Sequence, residues 1–554
     1  MKKILQNTVS KMDGGIGVLG LSIRFTKVAG IAMLAALIPI LVSIAPISFL
    51  WGVLAWAVWS MFVRILWVRN GLDGLIFGRA SGPQKNDVHS EAEFLSALKA
   101  PFTVTPVEAA VSVFVGRTPG GKSLVPVHFP PEVIRKNHIS ILGASGTGKS
   151  KLAAWLLSQM HQEGDAVVVF DPKDDEFLAG ILSDQAKLSG KPFTYINLRS
   201  SEAQINPFKA ATPGQIEQLL QAGLNLDPSG NPSVDFYRGE DREAVNCLVQ
   251  QGDTNILEML VTGATLKEVN SRQNFWREFR ELARLEAFHT NAGPDLDITV
   301  QAGGIVYVVG DTDDLKIVAA QKLLLARVLQ IIKGRPRSNA RQVSLFLDEF
   351  KYMLSNSALR ALGTIRDRRC NLILAYQSYG DLEDCGTLPV QAVLGAAKGN
   401  TTIKFVYKLE ESKTAEELSK IAGDESYIAE TTSKVLQDGL EGGQWKEESR
   451  RAVSVASLTT AMPKPLAGEA SLCWVFGLGP VFPLATMHMQ AGTPPTVVSA
   501  PRLPEVLDEI VDAQTAIGLD PVQKTLSHLP PDFLEMPGKQ MVPSTNNLDA
   551  QDLI

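Results

Sequence analysis

The chain alternates short runs of consecutive apolar, β-branched residues with longer stretches in which apolar positions recur every three or four residues. The short runs predict strands at Val111–Val115, His138–Gly143, Ala166–Phe170, Phe193–Asn197, Ile305–Val309, Val343–Leu347, Asn371–Ala375, Thr402–Tyr407 and Leu472–Phe476. Several are continuously apolar, as strands buried on both faces are. With helical stretches between them they predict a doubly wound α/β domain with a mostly parallel sheet. From Thr212 to about Leu296 only helical periodicity appears, as in Gln215–Leu224 and Phe275–Phe288. An all-α insertion domain at 212–297 is therefore expected, dividing the α/β domain into 101–211 and 298–491. A polar connector occupies 70–100. The stretch 492–554 is rich in proline and is expected to be a loosely attached tail with one short helix near Glu505–Ala516.

A different pattern opens the chain. Between Lys27 and Arg64 no charged residue occurs. The run is too long for one membrane span of ~20 residues and nearly enough for two. Pro46 is the natural turn, which places membrane helices at about 28–44 and 47–68 within an anchor at 1–69. Basic residues flank the pair on both sides (Lys2, Lys3, Lys11, Arg24 and Lys27 before it; Arg64, Arg69 and Arg79 after it). That distribution predicts a multi-pass inner-membrane protein with both ends, and the bulk of the chain, in the cytoplasm. One long tilted span is the competing reading; a signal peptide has a much shorter apolar core.

Composition narrows the class. At 554 residues, 45% hydrophobic and 20% charged, the chain has room for several globular units. Its net charge of −6 excludes a uniformly basic nucleic-acid coat but not a locally basic channel. The four cysteines are scattered without C-x-x-C spacing, which argues against a disulfide framework or a zinc site.

The phosphate-loop pattern G-x-x-x-x-G-K-[ST] occurs twice. The first match, Gly116–Ser123, runs into Leu-Val-Pro-Val-His-Phe-Pro-Pro, which cannot open a helix; it reads as a hairpin turn. The second is Gly143-Ala144-Ser145-Gly146-Thr147-Gly148-Lys149-Ser150, with a strand before it and the helix former Lys151–Gln162 after it. Only the second has the strand–loop–helix context that surrounds phosphates with backbone N–H groups. There Lys149 is expected to reach the β- and γ-phosphates of ATP, and Ser150 to bind Mg²⁺. Asp348 and Glu349, ending the Val343–Leu347 run, supply a carboxylate for the magnesium shell and a second one to orient the attacking water. Gln377, closing Asn371–Tyr376, is expected on the same carboxyl edge and is a candidate γ-phosphate sensor. Asp171 shares that edge, either as a site group or as a helix cap. The cluster Arg366-Asp367-Arg368-Arg369 precedes its strand and so lies on the opposite edge. From there an arginine can serve a neighbouring subunit's site; a DNA contact and a solvated loop are the other readings.

These features, in this order, resemble the coupling proteins of bacterial type IV secretion, the TraD- and TrwB-like ATPases of conjugation. The resemblance is carried by the N-terminal apolar pair, His138–Ser150, Asp171-Pro172, Ile205-Asn206-Pro207-Phe208, Leu347-Asp348-Glu349-Phe350, Ile365-Arg366, Tyr376-Gln377-Ser378 and Leu382-Glu383-Asp384. It continues through Gly399-Asn400, Lys413–Ser419, Arg451–Ser454 and Gly468-Glu469-Ala470, covering roughly 28–490. It implies a RecA-like P-loop NTPase fold, a homo-hexamer, and Arg366 as the trans-acting arginine, eleven residues before the strand-end Gln377. It also implies Glu349, Arg366, Gln377 and Lys149 as catalytic residues. The implied function is a DNA-dependent ATPase at the inner membrane. It would recruit a relaxase–DNA complex and drive single-stranded DNA into a type IV secretion channel, in contact with the channel components. A coupling ATPase for protein effectors, an FtsK-like DNA pump and a non-enzymatic scaffold are the alternatives.

Overall fold

The computed structural model describes residues 95, 98, 99, 113–120, 123–386, 388–434, 441–487 and 489–503. The chain divides into two compact units, residues 1–87 with 424–450, and residues 88–423 with 451–554. In the second unit the strands are β1 (Val113–Gly120), β2 (Ser123–Phe129), β3 (His138–Leu142), β4 (Ala166–Asp171), β5 (Phe193–Asn197), β6 (Ile305–Val309), β7 (Val343–Leu347), β8 (Cys370–Tyr376) and β9 (Thr401–Val406). In the first unit, β10 (Asp424–Lys434) and β11 (Glu441–Arg451) form a separate two-stranded sheet. The larger unit closes with β12 (Ser471–Phe476) and β13 (Phe482–Thr486).

Its eleven strands form one mixed sheet in the order β2-β1-β13-β12-β9-β3-β8-β7-β4-β6-β5. The run from β9 to β5 is parallel throughout, and the β2-to-β12 flank, including the β12–β9 junction, is antiparallel. The central strands are buried along their whole length, because successive side chains enter two separate cores. Val168 and Phe170 of β4 pack with Leu345 and Leu347 in the core that the helix Leu315–Gly334 covers. Val167 and Val169 join Ile139 and Ile141 in the opposite core, against the helix Lys149–Gln162. The mostly parallel α/β sheet read from the apolar runs is thus the fold observed. Between β5 and β6 every described element is helical, from Pro213–Gly223 to Leu296–Gln301.

Three expectations need revision. Strand β13 was absent from the apolar runs because Pro483 interrupts it; it inserts between β1 and β12. The beginning of the Pro-rich stretch is tied down rather than loose. Thr493 N donates to Asp184 Oδ2 at 2.9 Å, Leu503 N to His289 O at 2.8 Å, and Arg502 pairs with Glu286 at 3.0 Å. The short helix expected near Glu505–Ala516 lies outside the described residues.

The third correction concerns localisation. Among the described residues no helix is long and apolar enough to cross a membrane, so a multi-pass inner-membrane protein is not supported. The longest described helix, Leu315–Gly334, carries Lys316, Lys322, Arg327 and Lys333 and buries its apolar positions in the core of the sheet domain. Segments 28–44 and 47–68, where the spans were expected, lie outside the described residues.

Candidate nucleotide site

At the carboxyl edge of the parallel run, β3, β8, β7 and β4 lie side by side. The loop Gly143–Gly148 leaves β3 and opens the helix Lys149–Gln162. Gly148 has φ 111°, and a Cβ there would sit 2.3 Å from Ser471 Oγ; only glycine fits. Gly143 has φ 148°, with its notional Cβ 2.6 Å from the Cβ of Tyr407. Backbone bonds tie the loop to its neighbours: Gly143 N donates to Tyr376 O and Ala144 N to Lys408 O. Thr147 Oγ1 donates to Ala144 O at 2.8 Å. Lys149 is buried, 6% exposed, and its ammonium donates to Gly143 O at 2.6 Å and Ala144 O at 3.1 Å. Ser145 and Gly146 are exposed and Ser150 is half-buried. By contrast, the earlier motif match lies on the β1–β2 hairpin, which pairs Gly120 with Ser123, and no helix follows it directly.

Asp348 and Glu349 follow β7, with Asp348 N held by Phe170 O at 3.0 Å. Both are buried. Glu349 adopts φ 42°, ψ 60°, a left-handed conformation that is strained for a non-glycine residue and is seen most at functional sites. Its Oε1 accepts from the Lys173 ammonium, and its Oε2 is a buried oxygen without a hydrogen-bond partner. Burial, together with the charges of Asp171 and Glu349, pushes the Asp348 carboxyl up to about 7. Burial also lowers the Lys149 ammonium, against the opposing pull of Glu349 and Asp348. This is a carboxylate-rich cluster short of positive charge, and oxygen donors of this type suit a hard cation such as Mg²⁺. The groups present therefore fit a magnesium-bound phosphate chain: a glycine loop at a helix start, a buried ammonium and an unpartnered carboxylate oxygen.

Gln377 is exposed just past β8, its N–H directed at Asp381 Oδ2 (3.4 Å), and Asp381 in turn pairs with Lys351 at 3.2 Å. Arg366 is not with the other residues. It precedes β8 and lies on the opposite edge, exposed, lining a cavity of about 880 Å³ with Arg135, Arg335, Arg341 and Arg369. Arg135 grips the buried Asp165 there through Nε (3.0 Å) and Nη2 (2.7 Å).

Two residues escaped the sequence reading. Lys173, in the loop after β4, reaches Glu349. Tyr307, in β6, donates its hydroxyl to Asp171 Oδ2 at 2.6 Å. Asp171 also accepts from Lys173 N (2.9 Å) and Asp175 N (2.7 Å). The cap of the following helix is Asp175, which accepts from Phe177 N, so Asp171 is not the cap. The Asp171-Pro172-Lys173 sequence was the available signal, but nothing in it names Glu349 as partner.

Comparison with known proteins gives a consistent result. Residues 342–463 match the family described as "TraM recognition site of TraD and TraG", and residues 113–216 match "Helicase HerA, central domain". The chain is 32% identical over 304 residues to Mobilization protein A of Escherichia coli, a match covering 53% of this chain and 55% of that protein. It therefore spans about half the length of that curated relative. Among solved structures, the bacterial conjugative coupling protein TrwBdeltaN70 in its unbound monoclinic form shares the fold. It has a TM-score of 0.51 and 17% identity, covering 67% of this chain and 89% of that one. The trigonal form of TrwBdeltaN70 in complex with sulphate gives 0.51 and 16%, covering 74% and 95%. In two segments this chain is thus similar to families described from TraD and TraG and from HerA, over about half its length it is similar to Mobilization protein A, and its fold is that of the coupling protein TrwBdeltaN70.

Proposed function

We propose that this protein is an ATP-hydrolysing motor that recruits a relaxase–DNA complex and drives single-stranded DNA into a type IV secretion channel. The observation that carries the proposal is the Gly143–Ser150 loop, set one strand away from the buried Asp348–Glu349 pair on the same sheet edge. In this reading the loop N–H groups and Lys149 bind the phosphates, and Ser150 and Asp348 hold Mg²⁺. Held there, the metal would supply positive charge to offset the charge developing on the transferred phosphoryl group. Glu349 orients the attacking water through its free oxygen, and Gln377 senses the γ-phosphate. Arg366 faces away from its own nucleotide and completes a neighbour's site, which calls for a ring; a homo-hexamer is the proposed assembly. A protein-recognition role for residues 342–463 belongs to the proposal, since the matching family is described by the TraM recognition site of TraD and TraG. The relative named for mobilization supports DNA transfer as the setting.

The test is ATP hydrolysis by the purified protein with and without single-stranded DNA. Stimulation by DNA, abolished in Lys149→Ala through loss of binding and in Glu349→Gln with binding retained, supports the motor. Hydrolysis indifferent to DNA overturns the DNA cargo and favours a protein cargo. Lys149→Ala and Glu349→Gln failing alike, with neither binding nucleotide, overturns the role given to Glu349.

A further inference from the structure

The Lys173 side chain belongs to no phosphate-binding motif, yet its ammonium interacts with both charges on which the proposed reaction depends. On one side it pairs with Glu349 Oε1. On the other its charge acts against that of the Lys149 ammonium. Lys173 follows β4 on the carboxyl edge that also carries the phosphate loop, and a second ammonium on that edge is a candidate ligand for the same phosphate chain. The two partners of the observed pair differ in exposure: the Lys173 side chain is 39% exposed and that of Glu349 2%. Glu349 is therefore fixed, by burial and by its left-handed backbone, whereas the Lys173 side chain is partly open to solvent.

The backbone beneath Lys173 is anchored. Its N–H donates to Asp171, whose carboxylate is gripped in turn by Tyr307 and Asp175 N. Arg199 donates to Pro172 O at 2.8 Å and pairs with Asp174 at 3.6 Å. Motion is thus confined to the lysine's four-carbon stem, whose ammonium can turn between acceptors while the loop stays in place. Competition for it is lopsided. Glu349 offers one negative charge, beside that of Asp348; a nucleotide brings several, in phosphate oxygens that accept strong charge-assisted hydrogen bonds.

We propose that Lys173 is a positioning residue that exchanges partners, holding Glu349 through Oε1 and passing to the nucleotide's terminal phosphates when they bind. The exchange frees both oxygens of Glu349 at the moment a phosphate is present to be attacked. Hydrolysis is thereby coupled to correct phosphate placement, because until then the Lys173 charge on Oε1 weakens Glu349 as a base even though its Oε2 is unpaired. The inference rests on the nucleotide reading of the site and names a control on it.

The test is a double-mutant cycle on equilibrium binding of a non-hydrolysable ATP analogue with Mg²⁺, using the full chain. Lys173→Ala is expected to weaken binding by about 10-fold, the size of one charge-assisted hydrogen bond. Glu349→Gln is expected to tighten binding, because the lysine no longer has to leave a carboxylate. In the Glu349→Gln background Lys173→Ala should then cost roughly five-fold more than in the wild type, the size of a partly exposed ion pair. Lys173→Arg should restore most of the affinity, which a merely structural loss would not allow. The Glu349→Gln background also leaves no orphaned carboxylate, so a folding defect of the single Lys173→Ala variant cannot mimic the result. An equal or smaller loss in the Glu349→Gln background means a fixed ion pair and overturns the exchange. A wild-type protein that binds no analogue overturns the nucleotide reading, and this inference with it. Wild-type binding with no effect of Lys173→Ala in either background overturns the exchange alone.

Discussion

Removing one hydroxyl group, in Tyr307→Phe, tests the architecture under the site. Tyr307 and Asp171 are both fully buried, and the hydroxyl stands 2.6 Å from Asp171 Oδ2. Phenylalanine fills the same space except for one oxygen, a gap too small to admit a water in its place. The carboxylate keeps two backbone donors, Lys173 N and Asp175 N, and loses its third. A hydrogen bond to a charged group contributes about 1.5–3 kcal/mol, so the variant should be less stable by about that amount. The loss should depend on pH. Burial raises the Asp171 carboxyl above its ordinary value, and the Tyr307 bond is foremost among the contacts that oppose the rise. A carboxyl raised in the folded state binds protons more readily there than in the unfolded chain. Its contribution to stability is therefore greatest below the unfolded value of about 3.9 and declines as pH rises toward the folded one. Tyr307→Phe pushes the folded value higher and extends that decline. Urea denaturation should accordingly show a larger deficit, relative to wild type, at about pH 8 than at about pH 5. An equal deficit at both values, or a larger one in acid, would show that the hydroxyl does not stabilise an ionised Asp171.

Three further outcomes follow from the geometry. Gly148→Ala should all but abolish nucleotide binding, measured by titration with a fluorescent analogue, because its Cβ meets Ser471 Oγ at a positive φ; near-normal affinity would show that the loop has another shape. Arg366→Ala and Glu349→Gln subunits, each inactive alone, should regain part of the ATPase rate when mixed into joint rings, since some interfaces pair an intact Glu349 with an intact Arg366. A uniform Arg366→Ala protein hydrolysing at full rate removes the trans role; the expected loss is on the order of 10³-fold. Lys122→Ala should leave hydrolysis near the wild-type rate, because its motif match joins two strands.

The choice between two identical motif matches was legible in the chain because it depends on neighbours in sequence. Pro126 and the Pro130-Pro131 pair bar a helix directly after Ser123, while Lys149–Gln162 has the composition to form one. Pro126 sits on β2, an edge strand, the place in a sheet where a residue without an N–H is tolerated. The edge on which Arg366 lies was legible too, since strand polarity in a parallel sheet assigns residues before a strand and after it to opposite ends. Apolar runs without alternation gave the central strands for the same local reason: a strand buried on both faces needs no polar positions.

What the chain could not disclose is every pairing that depends on strand order. Lys173 and Glu349 are 176 residues apart and meet because β4 lies beside β7; Tyr307 and Asp171, 136 apart, meet because β6 lies on the other side of β4. No periodicity records that order. β13 was hidden for a related reason, since a strand carrying Pro483 is recognisable only once β1 and β12 stand on either side of it. Local composition thus determined the elements and the phosphate loop, because dihedral preference and hydrogen-bond capping act over a few residues. The tertiary structure alone decided which buried charges share one edge, because that follows from how the strands are laid side by side.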